Sequence, residues 1–169
     1  MRLRTATIAG LLAAVSLSLA SCGRGNLAAD GATAQKIVVT IAGAGGHHAF
    51  TVELAKTAAA QEQGLMYRTD IPRDGGMLFY PYPPDGGAPR AATFWMKNTP
   101  SPLDILFIRP DGTIARIAEQ SPPFSQTPIP SGEPVAAVLE LRGGRALDLD
   151  ISAGDTVRWD GGPAAAPKR

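Results

Sequence analysis

The chain has 169 residues, and its 16 Lys and Arg against 15 Asp and Glu leave a formal net charge of +1. With that balance and no basic run or patch, the electrostatic footprint of a nucleic-acid-binding protein is excluded. Cys22 is the one cysteine, so no internal disulfide can form.

The first predicted element is a leader. Arg2 and Arg4 form a basic n-region, and the apolar run over 8–20 is too short and too rich in small residues to span a bilayer permanently. It closes on Leu19-Ala20-Ser21-Cys22, which resembles the lipobox of bacterial lipoproteins: an aliphatic residue, two small residues and cysteine. The resemblance implies a signal peptide over 1–21 and a lipidated Cys22 as the mature N-terminus, held in the cell envelope. Each acyl CH₂ contributes about 0.8 kcal/mol to membrane binding, so the diacylglycerol and N-acyl group of such proteins make a firm anchor. The membrane is thus an expected partner through that lipid. Gly23 stands where lipoproteins kept at the inner membrane often carry Asp, which points to the periplasmic face of the outer membrane. The alternative is an ordinary signal peptide cut after Ala20 or Ala34. Small and polar residues without a helix or strand period make 22–35 a tether.

A β-rich domain is expected over 36–160. The β-branched run 36–41 and the run 49–54 read as a hairpin around a glycine-rich turn carrying His47 and His48. Thr57 is an N-cap candidate for the one main helix, Ala58-Ala59-Ala60-Gln61-Glu62-Gln63, which Gly64 ends. Thirteen of the fifteen prolines lie between Pro72 and Pro134, which forbids long helices there. Short strands follow at 77–80, 93–98 and 103–108. The last two are expected to pair as a hairpin across Thr99-Pro100-Ser101-Pro102. Pro110-Asp111-Gly112 is a turn into a strand at 113–118. A proline-punctuated loop covers 121–134, strands follow at 136–141 and 156–159, and 161–169 is a flexible Gly/Pro/Ala tail. Seven or eight short strands with one main helix predict an α+β class, mostly β: a small barrel-like or sandwiched antiparallel sheet.

Three phrases stand out: Gly64-Leu65-Met66-Tyr67-Arg68, Gly76-Met77-Leu78-Phe79, and Phe94-Trp95-Met96-Lys97-Asn98-Thr99 followed by Pro102-Leu103-Asp104-Ile105. With Val138-Leu139-Glu140-Leu141 and Gly154-Asp155, in this order, they resemble the domain of unknown function 192 family over about 39–159. The resemblance implies the fold and an exported or membrane-anchored setting, and no agreed activity. One departure is visible: many members carry arginine three residues before the Gly-Leu-Met, where this chain has Gln61.

The residues can be read physically beside that resemblance. The expected hairpin would place Lys97 opposite Asp104 and Met96 opposite Ile105. Asp104 and Glu140 both sit in apolar runs, and a buried carboxylate needs a cation or several donors. Lys97, Arg68 and Arg116 are the available cations. One reading is a polar pocket of Arg68, Trp95, Lys97, Asn98, Asp104 and Glu140 that binds a small polar or saccharide-like ligand, with Trp95 stacking on a ring; another is an ion-pair network that pins strand register. A non-catalytic binding module, for such a ligand or an envelope protein, is the leading expectation. Its rivals are an envelope carbohydrate hydrolase using Asp104 and Glu140 and Cu(I) handling by Met66, Met77 and Met96. Adjacent His47 and His48 lack further ligands at zinc spacing, so neither a metal site nor a cofactor is expected.

Overall fold

The computed structural model describes residues 34–163. The leader, Cys22, nearly all of the expected tether and the end of the tail lie outside the described residues. Within them the order is β1 (Lys36–Gly43), β2 (Gly46–Ala55), α1 (Ala58–Gln63), β3 (Gly76–Phe79), β4 (Arg90–Phe94), β5 (Leu103–Ile108), β6 (Ile114–Ser121), β7 (Ile129–Val135), β8 (Ala137–Arg142), α2 (Arg145–Asp148) and β9 (Thr156–Trp159).

Seven strands form one sheet in the order β6-β5-β8-β3-β2-β1-β9, and β4 and β7 form a separate ribbon. The class is mostly β, as expected, and the large sheet curls into a half-barrel. Its two end strands meet at one rim. Ile114 N–H donates to Asp155 O at 2.9 Å, Val157 N–H donates to Gly112 O at 2.8 Å, and Thr113 bridges Thr156. Backbone groups that would line two open edges are thereby satisfied along that rim. The Pro-Asp-Gly turn prepares this contact: the Asp111 carboxylate accepts from Thr113 N–H at 2.9 Å and from its hydroxyl at 2.7 Å.

Period-two alternation sorts the apolar residues into two cores. Val39, Ile41, Phe50, Val52, Leu78, Leu106, Ile108, Leu139, Leu141 and Val157 share one cluster. The intervening residues Met77, Phe79, Leu103, Ile105, Phe107 and Val138 face the other way and pack with Leu65, Ala92, Met96 and Val135. The central strands β3, β5 and β8 are therefore buried on both faces, which explains why they read as unbroken apolar runs.

Three expectations need correction. Residues 93–98 do not pair with 103–108: β4 ends at Phe94 and pairs with β7, while both edges of β5 are taken by β6 and β8. The chain leaves β4 through a tight turn, in which Thr99 N–H donates to Met96 O at 3.1 Å and Asn98 adopts φ 57°. The expected loop 121–134 contains a strand, β7. Its Pro130 and Pro134 are accommodated because a two-stranded ribbon leaves one edge of each strand free of partners. The sheet is not wholly antiparallel, since β2 and β3 run parallel. A second short helix, α2, occupies a segment that had no clear pattern.

Candidate functional site

The site is built where α1 ends against β3, β4 and β8. Thr57 caps α1 as expected, its side chain accepting from Ala60 N–H at 3.2 Å. Gly64 terminates the helix at φ 50°, and its N–H donates to Ala60 O at 2.9 Å. A Cβ at Gly64 would lie 3.2 Å from Phe79 Cζ and 3.8 Å from Glu140 Oε2, so the glycine of Gly-Leu-Met lets the helix end sit directly on those side chains. Gln61 fastens the helix from inside: its Nε2 donates to Ala55 O at 3.0 Å and to Pro81 O at 2.8 Å. Two carbonyl acceptors fix the amide orientation and turn Oε1 away from them.

Glu140 lies on β8 opposite Met77 of β3 and Ile105 of β5, on the face of the second core. It is only 4% exposed. Burial pushes its carboxyl up to about 8, so it holds its proton at neutral pH. Gly76 secures this part of β8 from the neighbouring strand: at φ 158° it admits a backbone approach in which a Cβ would fall 2.0 Å from Glu140 O.

Together these elements enclose a cleft of ≈ 270 Å³ lined by Gln61, Glu62, Gly64, Met66, Phe79, Thr93, Phe94, Trp95, Thr99 and Glu140, among others. Five buried polar side-chain atoms lack a hydrogen-bond partner among the described residues, and two of them, Gln61 Oε1 and Glu140 Oε2, belong to this lining. Buried polar atoms are normally paired, so two on one cleft mark it as chemically incomplete. Phe79 and Phe94 form an edge-to-face pair at 5.1 Å behind it. Trp95 is 47% exposed, and the Lys97 ammonium lies 5.1 Å from its ring centroid.

The six residues expected to share a pocket are dispersed. Trp95 and Glu140 line the cleft, and Lys97 reaches only the Trp95 ring. Arg68 pairs with Glu53 at 3.0 Å beside a separate shallow hollow. Asn98 donates to Tyr67 Oη at 2.8 Å and holds the turn after Trp95. Asp104 is fully buried and accepts three backbone N–H groups: Gln120 at 2.8 Å, Gly144 at 3.0 Å and Ala146 at 2.8 Å. The last two cap the start of α2, which explains why the carboxylate needs no cation.

Asp104 pairs in register with Leu141, and Glu140 with Ile105, so the two carboxylates point to opposite faces of the sheet. Neither has a salt-bridge partner among the described residues; Arg116 instead lies over the Phe107 ring at 5.9 Å. The expected ion-pair network is therefore absent from this region. Met77 and Met96 are buried in the second core, and of the three methionines only Met66 lines the cleft. His47 and His48 lie in strand β2 rather than a turn, on alternate faces. Among the described residues no cluster of three His, Cys, Asp or Glu is placed to hold a metal. Sequence reasoning did not single out Gln61, Phe79 or Thr93 as binding residues; Gln61 stood out only as the departure from the family pattern.

The chain matches the model of the domain of unknown function 192 (DUF192), described as an uncharacterized ACR, over residues 38–159. A crystal structure of a Novosphingobium aromaticivorans protein of unknown function is similar, with 44% identity, TM-score 0.70, and coverage of 75% of this chain and 86% of that one. A Sinorhizobium meliloti 1021 protein provisionally named a transcription regulator is similar at 46% identity, TM-score 0.70, covering 76% of this chain and 96% of that one. No curated protein matches. The matched model spans the folded domain, so the chain belongs to the domain of unknown function 192 family.

Proposed function

We propose that this is an exported, lipid-anchored envelope protein whose cleft binds a small polar, saccharide-like ligand without converting it. The observation that carries the binding reading is the pair of partnerless atoms, Gln61 Oε1 and Glu140 Oε2, on one cleft. A volume of ≈ 270 Å³ is just below the range of drug-sized sites and suits a single sugar-sized ring. Trp95 supplies an exposed aromatic face at its edge. The opposed orientation of Asp104 and Glu140 argues against a two-carboxylate hydrolase, because such a pair must flank one bond. The lining contains no Ser, Cys or His nucleophile. The balanced charge gives the regulator name of the Sinorhizobium protein no support in this chain.

A protein partner in the envelope is the second reading. It is favoured by Tyr67 and Phe124, 71% and 62% exposed, whose N–H groups are tied to Asn98 O and Thr99 O beside Trp95.

The anchor and the site are tested separately. Labelled palmitate should enter the wild type and not Cys22→Ser, and the variant should leave the membrane fraction; equal labelling and fractionation would refute the anchor. For the site, the full-length protein in detergent is screened against monosaccharides by thermal shift. A ligand at 100 times its Kd stabilises by about 2.7 kcal/mol. Trp95→Ala should abolish the shift, and a shift unchanged in that variant would refute the cleft.

A further inference from the structure

Resting on that reading, we infer that the ligand carries a protonated amine, held between Gln61 Oε1 and the Glu140 carboxylate beside the Trp95 ring. The floor of the cleft asks for hydrogen-bond donors. Both Nε2 protons of Gln61 are committed to Ala55 O and Pro81 O, so its free atom is an acceptor. Glu140 Oε2 is the second partnerless oxygen, on a carboxyl that carries one donor while it keeps its proton and is acceptor-only once the proton is lost. An ammonium brings three donors and a full charge to these two acceptors, whereas a hydroxyl brings one donor and no charge. The walls agree, since Phe79, Phe94 and Trp95 present ring surfaces and the lining contains Glu62 but no Lys, Arg or His. Trp95 already accepts one cation, the Lys97 ammonium at 5.1 Å.

Proton balance follows from the groups facing Glu140. From β3 and β5 these are Met77, Phe79 and Ile105; β4 contributes Thr93 and Phe94, and α1 contributes Gln61 and Glu62. Lys97 on Trp95 and Arg116 on Phe107 are the nearby cations, and neither is ion-paired with it. Glu140 is protonated in the free protein at pH 7. When R–NH₃⁺ binds, the carboxyl O–H breaks, its proton leaves to buffer, and the carboxylate accepts from the ammonium. One proton is released per amine bound, and no covalent bond to the ligand forms.

The test is calorimetric titration of the full-length protein in detergent at pH 7, in two buffers of different ionisation enthalpy. The probes are D-glucosamine, D-glucose, N-acetyl-D-glucosamine and cyclohexylamine. Glucosamine should bind at least about 10-fold tighter than the two neutral sugars, the step expected of one charge-assisted contact, with release of about one proton. Glu140→Gln, nearly isosteric with the protonated acid, should remove both the preference and the release. Neutral sugars binding equally well without proton release would overturn the amine and leave the polar-ligand reading standing. Cyclohexylamine binding alone would uphold the amine and overturn the saccharide, and silence from all four probes would overturn both.

Discussion

Glu140→Gln is also the sharpest probe of stability. The carboxyl is raised from 4.5 to about 8 by burial alone. The folded chain therefore keeps a proton that the unfolded chain gives up between those values. Over that window the unfolded state binds fewer protons, so wild-type stability falls as pH rises, by up to about 1.4 kcal/mol per unit. The loss is absent below pH 4.5, reaches about 3 kcal/mol at pH 7 and levels off above pH 8. Glutamine preserves the volume and has no proton to lose. Its new N–H group costs about 1 kcal/mol if unpaired, so the variant should exceed wild type at pH 7 by about 2 kcal/mol. Below pH 4.5 it should fall level with wild type or slightly beneath it. Urea titrations of both chains at pH 4 to 9, without ligand, measure this as a difference that cancels every other titrating group. A difference that does not change between pH 4.5 and 8 would show that Glu140 is ionised or solvated in the folded protein.

Three further outcomes are expected. Asp104→Ala leaves one buried and two part-buried N–H donors without their acceptor and should destabilise by about 2–4 kcal/mol in thermal or chemical melts, with Asp104→Asn losing less because one oxygen remains. Gly76→Ala puts a methyl 2.0 Å from Glu140 O at φ 158°, and the forced separation of β3 from β8 should cost about 3 kcal/mol or more, seen as lost amide protection in both strands. Gln61→Arg places a cation on the cleft that contains Glu140; the carboxyl should then titrate below neutrality in a carbon-13 NMR titration, and glucosamine should lose its advantage over glucose.

What the sequence disclosed was mostly local. The β1–β2 hairpin, the Thr57 cap, the Gly64 stop and the Pro-Asp-Gly turn each depend on neighbours within a few residues, and each is present. Strand pairing between distant segments was less legible. A four-residue Thr-Pro-Ser-Pro loop between two apolar runs has the length of a hairpin connection, yet β5 has two other partners and β4 belongs to a different sheet. Nothing in the local pattern of 93–108 distinguishes these outcomes, because the competitor strand β8 lies some thirty residues onward. Prolines misled in the same way at β7: they forbid a central strand, but on a ribbon they forbid nothing.

The two buried carboxylates show how far composition can be pushed toward a site. Both sit in apolar runs, and the physics requires each to find partners. Asp104 finds them in the main chain of β6 and around α2, which no motif spacing announces. Glu140 finds none among the described residues, and burial raises its pKa where it lines the cleft between α1 and β4. Which of the two is structural and which is available follows from register. A shift of one residue between β5 and β8 would turn one strand over relative to the other and bring both carboxylates to the same face. The pairing Ile105↔Glu140 is held by five companion pairs and by Gly76, which brings β3 against Glu140 O from the other side. Which carboxylate lines the cleft is thus a property of sheet register. A variant that loosens β3 from β8 should lose ligand affinity even where every cleft side chain is unchanged.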